Sequence, residues 1–109
     1  MSGRNKFGAV KTEIDGITFA SKAESRRYAE LKLLARAGVI RNLETQPVFP
    51  ITINGVTVAK YVADFVYFEG EERRVEDVKS PATRTAVYRL KKRIVEALYP
   101  GVRIIEVMG

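Results

Sequence analysis

Apolar residues recur along this chain with two different periods, and the switches between them lay out its elements. Lys11-Thr12-Glu13-Ile14 and Ile17-Thr18-Phe19 flank Asp15-Gly16, a pair suited to the positive φ angles of a two-residue hairpin loop. Ser21-Lys22-Ala23-Glu24 has the form of a capping box. It opens a helix that runs to about Ala37 and stops at Gly38. On that helix Glu24, Tyr28, Leu31 and Ala35 share one stripe, the face expected to pack on a sheet. An extended stretch, Val39 to Ile53, is broken by Pro47 and Pro50 and holds one predicted strand around Leu43 to Phe49. Asn54-Gly55 signals a second hairpin and leads into a strand from about Val56 to Phe68. Glu69-Gly70-Glu71-Glu72 then turns the chain into a strand over Arg74 to Lys79. After Pro81, Thr83 or Thr85 caps a helix to about Leu98, with Val87, Leu90, Ile94 and Leu98 as its core stripe. Pro100-Gly101 ends it, and Val102 to Val107 form the last strand. The predicted order is hairpin, helix, three strands, helix, strand: an α/β sandwich around a small mixed sheet.

Two aspartates interrupt the most apolar part of this pattern, where strands normally avoid Asp. If the hairpin centres on Gly70-Glu71, Asp64 lies opposite Asp77 and Val62 lies opposite Lys79. Directly opposed side chains sit about 4.5–5.5 Å apart at Cβ, and like charges there repel. Val62, Val66 and Val75 share the face, so it is expected to be buried or half-buried. Two carboxylates in such a place call for a cation, and Mg²⁺ or Mn²⁺ fits oxygen ligands best. The plainer alternative is that each Asp is a solvated edge residue. A slip of one residue in the register also sends the two to opposite faces.

Composition narrows the chemistry. The chain has 109 residues with no His and no Cys, which removes cysteine nucleophiles, Ser-His triads, histidine bases and ordinary zinc sites. The eight glycines are scattered, with no phosphate-binding loop among them. Net charge is +6 and the pI is near 9.8, which points to a polyanion partner, nucleic acid above all. No run reaches the length of a membrane span. Met1 to Lys11 lacks the apolar core of a secretory signal, so a cytoplasmic setting is expected. Residues 1–10 read as a basic flexible arm and residues 11–109 as one domain, too short for a separate recognition module.

The element order, with Asp64 at a first acidic position and Asp77-Val78-Lys79 as a (D/E)-x-K element on the adjoining strand, resembles the core of the PD-(D/E)xK nuclease superfamily. From about Lys11 to Val107 the chain also resembles a family of small phage-borne nucleases. The stretches that carry this are Val10-Lys11-Thr12-Glu13, Asp15-Gly16-Ile17, Phe19-Ala20-Ser21-Lys22-Ala23-Glu24, Leu43-Glu44-Thr45-Gln46-Pro47 and Tyr88-Arg89-Leu90-Lys91-Lys92. In size and layout it is similar to archaeal-type Holliday-junction resolvases. The proline of the superfamily's name is Ala63 here. Some relatives carry Gln-x-x-x-Tyr on the second helix, where this chain has Arg84-x-x-x-Tyr88.

The resemblance implies a restriction-endonuclease-like core and a site built from Asp64, Asp77, Lys79 and Glu24. Asp64 and Asp77 would hold one or two Mg²⁺, which Mn²⁺ could replace, with the Val78 carbonyl as a further ligand and Glu24 within reach. Lys79 would orient water or steady charge on the phosphate. Glu24 is contested, because the capping box with Ser21 accounts for it equally well by itself. Gln46 would touch a phosphate or the metal's water, or else make a strand-end hydrogen bond. Glu76 points away from Asp77 and is expected to pair with an Arg on the surface. Arg84, Tyr88 and Lys91 along one helix flank, with Lys92 beyond, would meet DNA phosphates, and Arg4, Lys6 and Lys11 would add non-specific affinity. The expected activity is a Mg²⁺-dependent, structure-specific endodeoxyribonuclease, most specifically a homodimeric Holliday-junction resolvase acting on four-way junctions in the host cell cytoplasm. The alternatives are a less selective nicking endonuclease in phage recombination or DNA processing, and a non-catalytic nucleic-acid-binding protein.

Overall fold

A computed structural model describes residues 11–109. The expected arm, with Arg4 and Lys6, lies outside the described residues. Strands β1 (Thr12–Ile14) and β2 (Ile17–Phe19) form the first hairpin, followed by helix α1 (Lys22–Arg36). Five strands come next: β3 (Arg41–Thr45), β4 (Val48–Ile53), β5 (Val56–Val62), β6 (Phe65–Glu69) and β7 (Glu72–Lys79). Helix α2 (Ala86–Leu98) and strand β8 (Ile104–Met108) complete the chain. The result is a small α/β domain with a mixed sheet and two helices. Its central sheet has the order β3-β6-β7-β8. β6 is antiparallel to β3 and β7, and β8 runs parallel to β7.

Local chemistry explains the element ends. Asp15, Gly16, Asn54 and Gly55 all have positive φ, the geometry that the tight hairpin loops demand and that these residue types tolerate. The Ser21 hydroxyl accepts from the Glu24 N–H at 3.2 Å, and Thr85 accepts from the Tyr88 N–H at 3.1 Å, so each helix starts on a side-chain cap.

Five strands stand between the helices where three were expected, and two local breaks explain the difference. Gln46 takes φ 55° ahead of Pro47, which separates β3 from β4. Ala63 and Asp64 then separate β5 from β6. The Asn54-Gly55 turn folds β5 back on β4 as a ladder of its own, with Val62 opposite Val48. Val62 therefore does not face Lys79, which pairs with Met108, and it is exposed rather than buried.

The central sheet is packed on both faces. Toward α1, Phe65, Tyr67 and Val78 meet Phe19, Tyr28 and Leu31. Toward α2, Val66 and Val75 meet Tyr61, Tyr88 and Val95. Phe65 and Val75 are fully buried, each worth about 1.5–3 kcal/mol relative to exposure. Alternation along β7 sends Asp77 to the α2 face with Val75, and Glu76 to the α1 face with Val78.

The buried side of α2 keeps only Ile94 of the expected stripe. Tyr88 and Val95 face the sheet, while Val87, Leu90 and Leu98 are exposed. Polar anchors set this rotation: Tyr88 and Arg84 bond Glu106 on β8, and Lys91 bonds the Lys60 carbonyl on β5. Among the described residues no helix is long and apolar enough to cross a membrane.

Candidate active site

The backbone holds Asp64 from two sides. Its N–H donates to the Glu76 carbonyl at 3.1 Å, and its C=O accepts from the Gln46 N–H at 2.9 Å. The β6–β7 register runs as expected from the Gly70 turn up to Phe65 opposite Glu76. Asp64 stands one residue beyond, where the ladder stops and the sheet opens. Its Oδ2 accepts from the Val78 N–H at 2.7 Å, which anchors it over β7 beside Asp77. In a strand the N–H and C=O of one residue point to the same side, so the Val78 carbonyl also faces Asp64.

Asp77 is buried and satisfied from two elements. The Tyr61 hydroxyl of β5 donates to its Oδ2, and Lys79 Nζ lies 3.2 Å from its Oδ1. The same ammonium sits 4.1 Å from the centre of the Tyr88 ring, a cation–π contact that adds to the ion pair. Lys79 is thus held between a carboxylate and an aromatic face.

Glu24 reaches this group from the first turn of α1. Its carboxyl stands near Asp64 and feels the charges of Asp77 and Lys79. Its backbone N–H meanwhile donates to the Ser21 hydroxyl, so the cap and the cluster both engage it. Burial pushes the Glu24 carboxyl above the usual range, with the backbone hydrogen bond at Ala20 opposing it most. Asp64 is pushed up to about 8, first by burial and then by the charges of Asp77 and Glu24, against the Val78 hydrogen bond. Three carboxyls and one ammonium from α1, β7 and the β5–β6 junction therefore share one partly dry spot.

Among the described residues, no group of three or more acidic side chains is arranged to hold a metal ion. In this arrangement Asp77 and Asp64 direct oxygens to Tyr61, Lys79 and Val78. The donor chemistry nevertheless fits a hard cation. Each carboxylate oxygen carries two acceptor sites, and every available donor is oxygen, as Mg²⁺ prefers.

The model of a family described as "Protein of unknown function (DUF1064)" matches residues 4–108. The chain belongs to this family. No curated protein and no solved structure matches it.

Other expected residues of this DUF1064 chain separate into groups. Gln46 makes the strand-end bond to Asp64, and its side chain donates to the Thr18 carbonyl at 3.3 Å. Arg84, Tyr88 and Lys92 gather on Glu106: Arg84 Nε at 2.9 Å, the Tyr88 hydroxyl at 3.0 Å and Lys92 Nζ at 4.0 Å. Desolvation pushes the Glu106 carboxyl up, but Arg84 and Tyr88 outweigh it and its pKa falls below the ordinary value. Lys91 leaves that flank and donates to the Lys60 carbonyl at 3.0 Å. Lys11 is exposed.

Glu76 is not on the surface as expected. It is 2% exposed and receives a two-point bond from Arg27, Nε to Oε1 at 2.8 Å and Nη2 to Oε2 at 2.7 Å. The Tyr67 hydroxyl donates to it as well, with the phenol pushed up to about 12 by burial and by that bond. Arg27 stands one turn after Glu24, so this buried pair ties α1 to β7 directly behind the cluster.

Sequence reasoning missed Tyr61 and Glu106. Glu106 carried a usable signal, an acid inside the apolar run Ile104 to Val107, like Asp64 and Asp77 in theirs. Tyr61 carried none, because its contact depends on the break at Ala63-Asp64.

Proposed function

We propose that this chain is a Mg²⁺-dependent endodeoxyribonuclease with a restriction-endonuclease-like core. The observation that carries the reading is the meeting of Glu24, Asp64, Asp77 and Lys79 where β6 pairing ends. A carboxylate cluster with one captive ammonium suits phosphodiester hydrolysis. Once its carboxyls ionise, the cluster carries a surplus of negative charge that a cation would offset, and the ammonium can face a phosphate.

In this reading Asp64, Asp77 and the Val78 carbonyl would hold Mg²⁺, with Glu24 close enough to contribute. When bound, the ion supplies Lewis-acid polarisation of the scissile phosphate and makes water more acidic. The protein's own groups do the rest. Tyr61 fixes the Asp77 rotamer. Lys79, positioned by Asp77 and the Tyr88 ring, donates to the attacking water or to a non-bridging phosphate oxygen. The net charge of +6 supports a DNA backbone as the binding partner, with contacts mainly to phosphates. Contacts to phosphates rather than to base edges favour recognition of DNA shape, and the most specific substrate in line with that is a four-way junction met in the cytoplasm.

The test incubates a four-way junction, a flap and a plain duplex with the protein, with and without Mg²⁺, alongside Asp77→Asn. Cleavage of the junction only with Mg²⁺, and none by Asp77→Asn, is expected. Cleavage of all three at equal rates would replace the resolvase by a general nicking nuclease. No Mg²⁺-dependent cleavage of any of them, with DNA still bound, would leave a non-catalytic DNA-binding protein.

A further inference from the structure

Glu24 stands between two close fastenings of α1. One residue before it, Ala23 abuts Gly109, whose N–H donates to the Lys79 carbonyl at 3.0 Å. A Cβ on Gly109 would lie 2.7 Å from the Ala23 Cβ and 2.9 Å from Val78 Cγ1, closer than real Cβ atoms come. Only glycine therefore lets α1 sit this near the end of β7. Three residues after Glu24, Arg27 makes its two-point bond to Glu76. A planar guanidinium fork of this kind fixes direction as well as distance. Glu76 is itself tied into the site. The Tyr67 hydroxyl donates to its carboxylate, its carbonyl accepts from the Asp64 N–H at 3.1 Å, and Asp77 follows it in the chain.

A restraint is needed at this point. Glu24 feels the charge of Asp77 and stands near Asp64, and carboxylates sharing a site repel one another. Helix ends fray, so the first turn of α1 is the part that would swing away. A buried ion pair by itself is weak evidence of stability, because apolar residues of similar volume often serve as well. What the Arg27–Glu76 fork adds is geometry. We infer that Arg27, Glu76 and Gly109 are positioning residues, a clamp that fixes Glu24 against Asp64. The clamp acts on the helix from both sides of Glu24, and through Glu76 it uses the same residue whose backbone holds Asp64. Its effect on cleavage rests on the nuclease reading of the cluster; its effect on where Glu24 stands does not.

The test combines three clamp variants with Glu24→Gln. Arg27→Lys keeps the charge and gives up the fork. Arg27→Met with Glu76→Gln leaves neither charge buried alone. Gly109→Ala pushes Ala23 and Val78 away from the other side. The first readout is the NMR shift of the Asp64 and Val78 backbone amides in metal-free protein. Glu24→Gln should move both amides in the native background and move them far less in each clamp variant, while every variant still melts cooperatively. The second readout is cleavage with Mg²⁺ beside duplex affinity in Ca²⁺. Each clamp variant should lose turnover by about 10- to 100-fold at unchanged affinity. Adding Glu24→Gln should then cost little more, the mark of residues that act through one another. Amide shifts as large in the clamp variants as in the native background overturn the inference and leave the three residues holding the fold alone. So does a native background in which Glu24→Gln moves neither amide, and so do clamp variants that cleave at the native rate. If the double substitution unfolds the chain, Arg27→Lys and Gly109→Ala decide. If no form of the protein cleaves DNA while the amide shifts still follow the clamp, the nuclease reading falls and the positioning of Glu24 stands.

Discussion

Tyr61 donates its hydroxyl to Asp77 Oδ2 across two separate ladders: Tyr61 belongs to the β4–β5 hairpin and Asp77 to the central sheet. The bond welds the hairpin to the site, and burial with the Asp77 charge pushes the Tyr61 phenol well above its ordinary value. It therefore serves as a donor at any working pH. A hydrogen bond to a charged group contributes about 1.5–3 kcal/mol. Tyr61→Phe keeps the ring in the core and removes only that donor. Cleavage by Tyr61→Phe is expected to fall about 10- to 100-fold with DNA affinity unchanged. An equal loss in both would make Tyr61 a part of the DNA surface instead.

Asp64→Asn and Asp77→Asn should both abolish cleavage, yet they should differ in the stability of the metal-free protein. Asp64 carries a proton up to about pH 8, so an amide replaces it at little cost and the melting temperature should hold. Asp77 neutralises Lys79 and accepts from Tyr61. Asp77→Asn leaves the half-buried ammonium without its anion and should lower stability by about 1–3 kcal/mol. Thermal melts without divalent ions check this, and equal melting temperatures for the two variants would contradict the asymmetry.

The raised Asp64 pKa also sets a pH dependence. Folded Asp64 binds its proton more tightly than unfolded Asp64, so its contribution to stability is full below the ordinary aspartate value of 3.8 and is lost as pH rises through about 8. Glu24 is shifted in the same direction. Metal-free protein should melt at progressively lower temperature from about pH 4 to pH 8, and Asp64→Asn should flatten that trend. Mg²⁺ takes the deprotonated carboxylates, so its stabilising effect should be larger at pH 9 than at pH 6. A Mg²⁺ effect that is equal at both pH values would separate Asp64 from the ion.

Glu24→Gln separates the two roles of that residue. The cap bond uses the backbone N–H and survives the substitution, and Gln also serves a capping box. The melting temperature should therefore change little while cleavage falls by an order of magnitude or more. Full activity would return Glu24 to a purely capping role.

Much of this arrangement was legible in the sequence, and the exceptions share a cause. Asp15-Gly16 and Asn54-Gly55 forced their turns, Ser21 marked its cap, the second cap fell on Thr85 of the two threonines offered, and the Gly70 turn set the β6–β7 register that brings Asp64 to β7. The break at Ala63-Asp64 was invisible, because Val56 to Phe68 reads as one apolar run and no Gly or Pro interrupts it. That break hid the Tyr61 contact and placed Val62 wrongly. On α2, periodicity pointed to Val87, Leu90, Ile94 and Leu98 as the core stripe, whereas Tyr88 and Val95 are the buried pair and only Ile94 of that stripe packs beside them. Pattern alone cannot tell a face that meets the sheet from a face left bare. The choice depended on Glu106 and on the Lys60 carbonyl, both remote in sequence.

Glu106 leads to the last prediction. It holds Arg84, Tyr88 and Lys92 on the β8 flank of α2, so any phosphate that meets this flank competes with a carboxylate. Arg84→Ala should weaken DNA binding uniformly across sequences and reduce the salt slope by about one unit. Glu106→Gln should do the reverse, freeing both cations to bind phosphate, raising affinity at low salt and steepening the slope. It should also cost some stability, because the Arg84 ion pair and part of the Tyr88 bond are weakened. Affinity measured against salt in Ca²⁺, which can occupy oxygen ligands in place of Mg²⁺, reads both variants on one duplex. If Arg84→Ala leaves the slope unchanged and Glu106→Gln lowers only the melting temperature, the three residues hold α2 to β8 and the DNA path lies elsewhere on the basic surface.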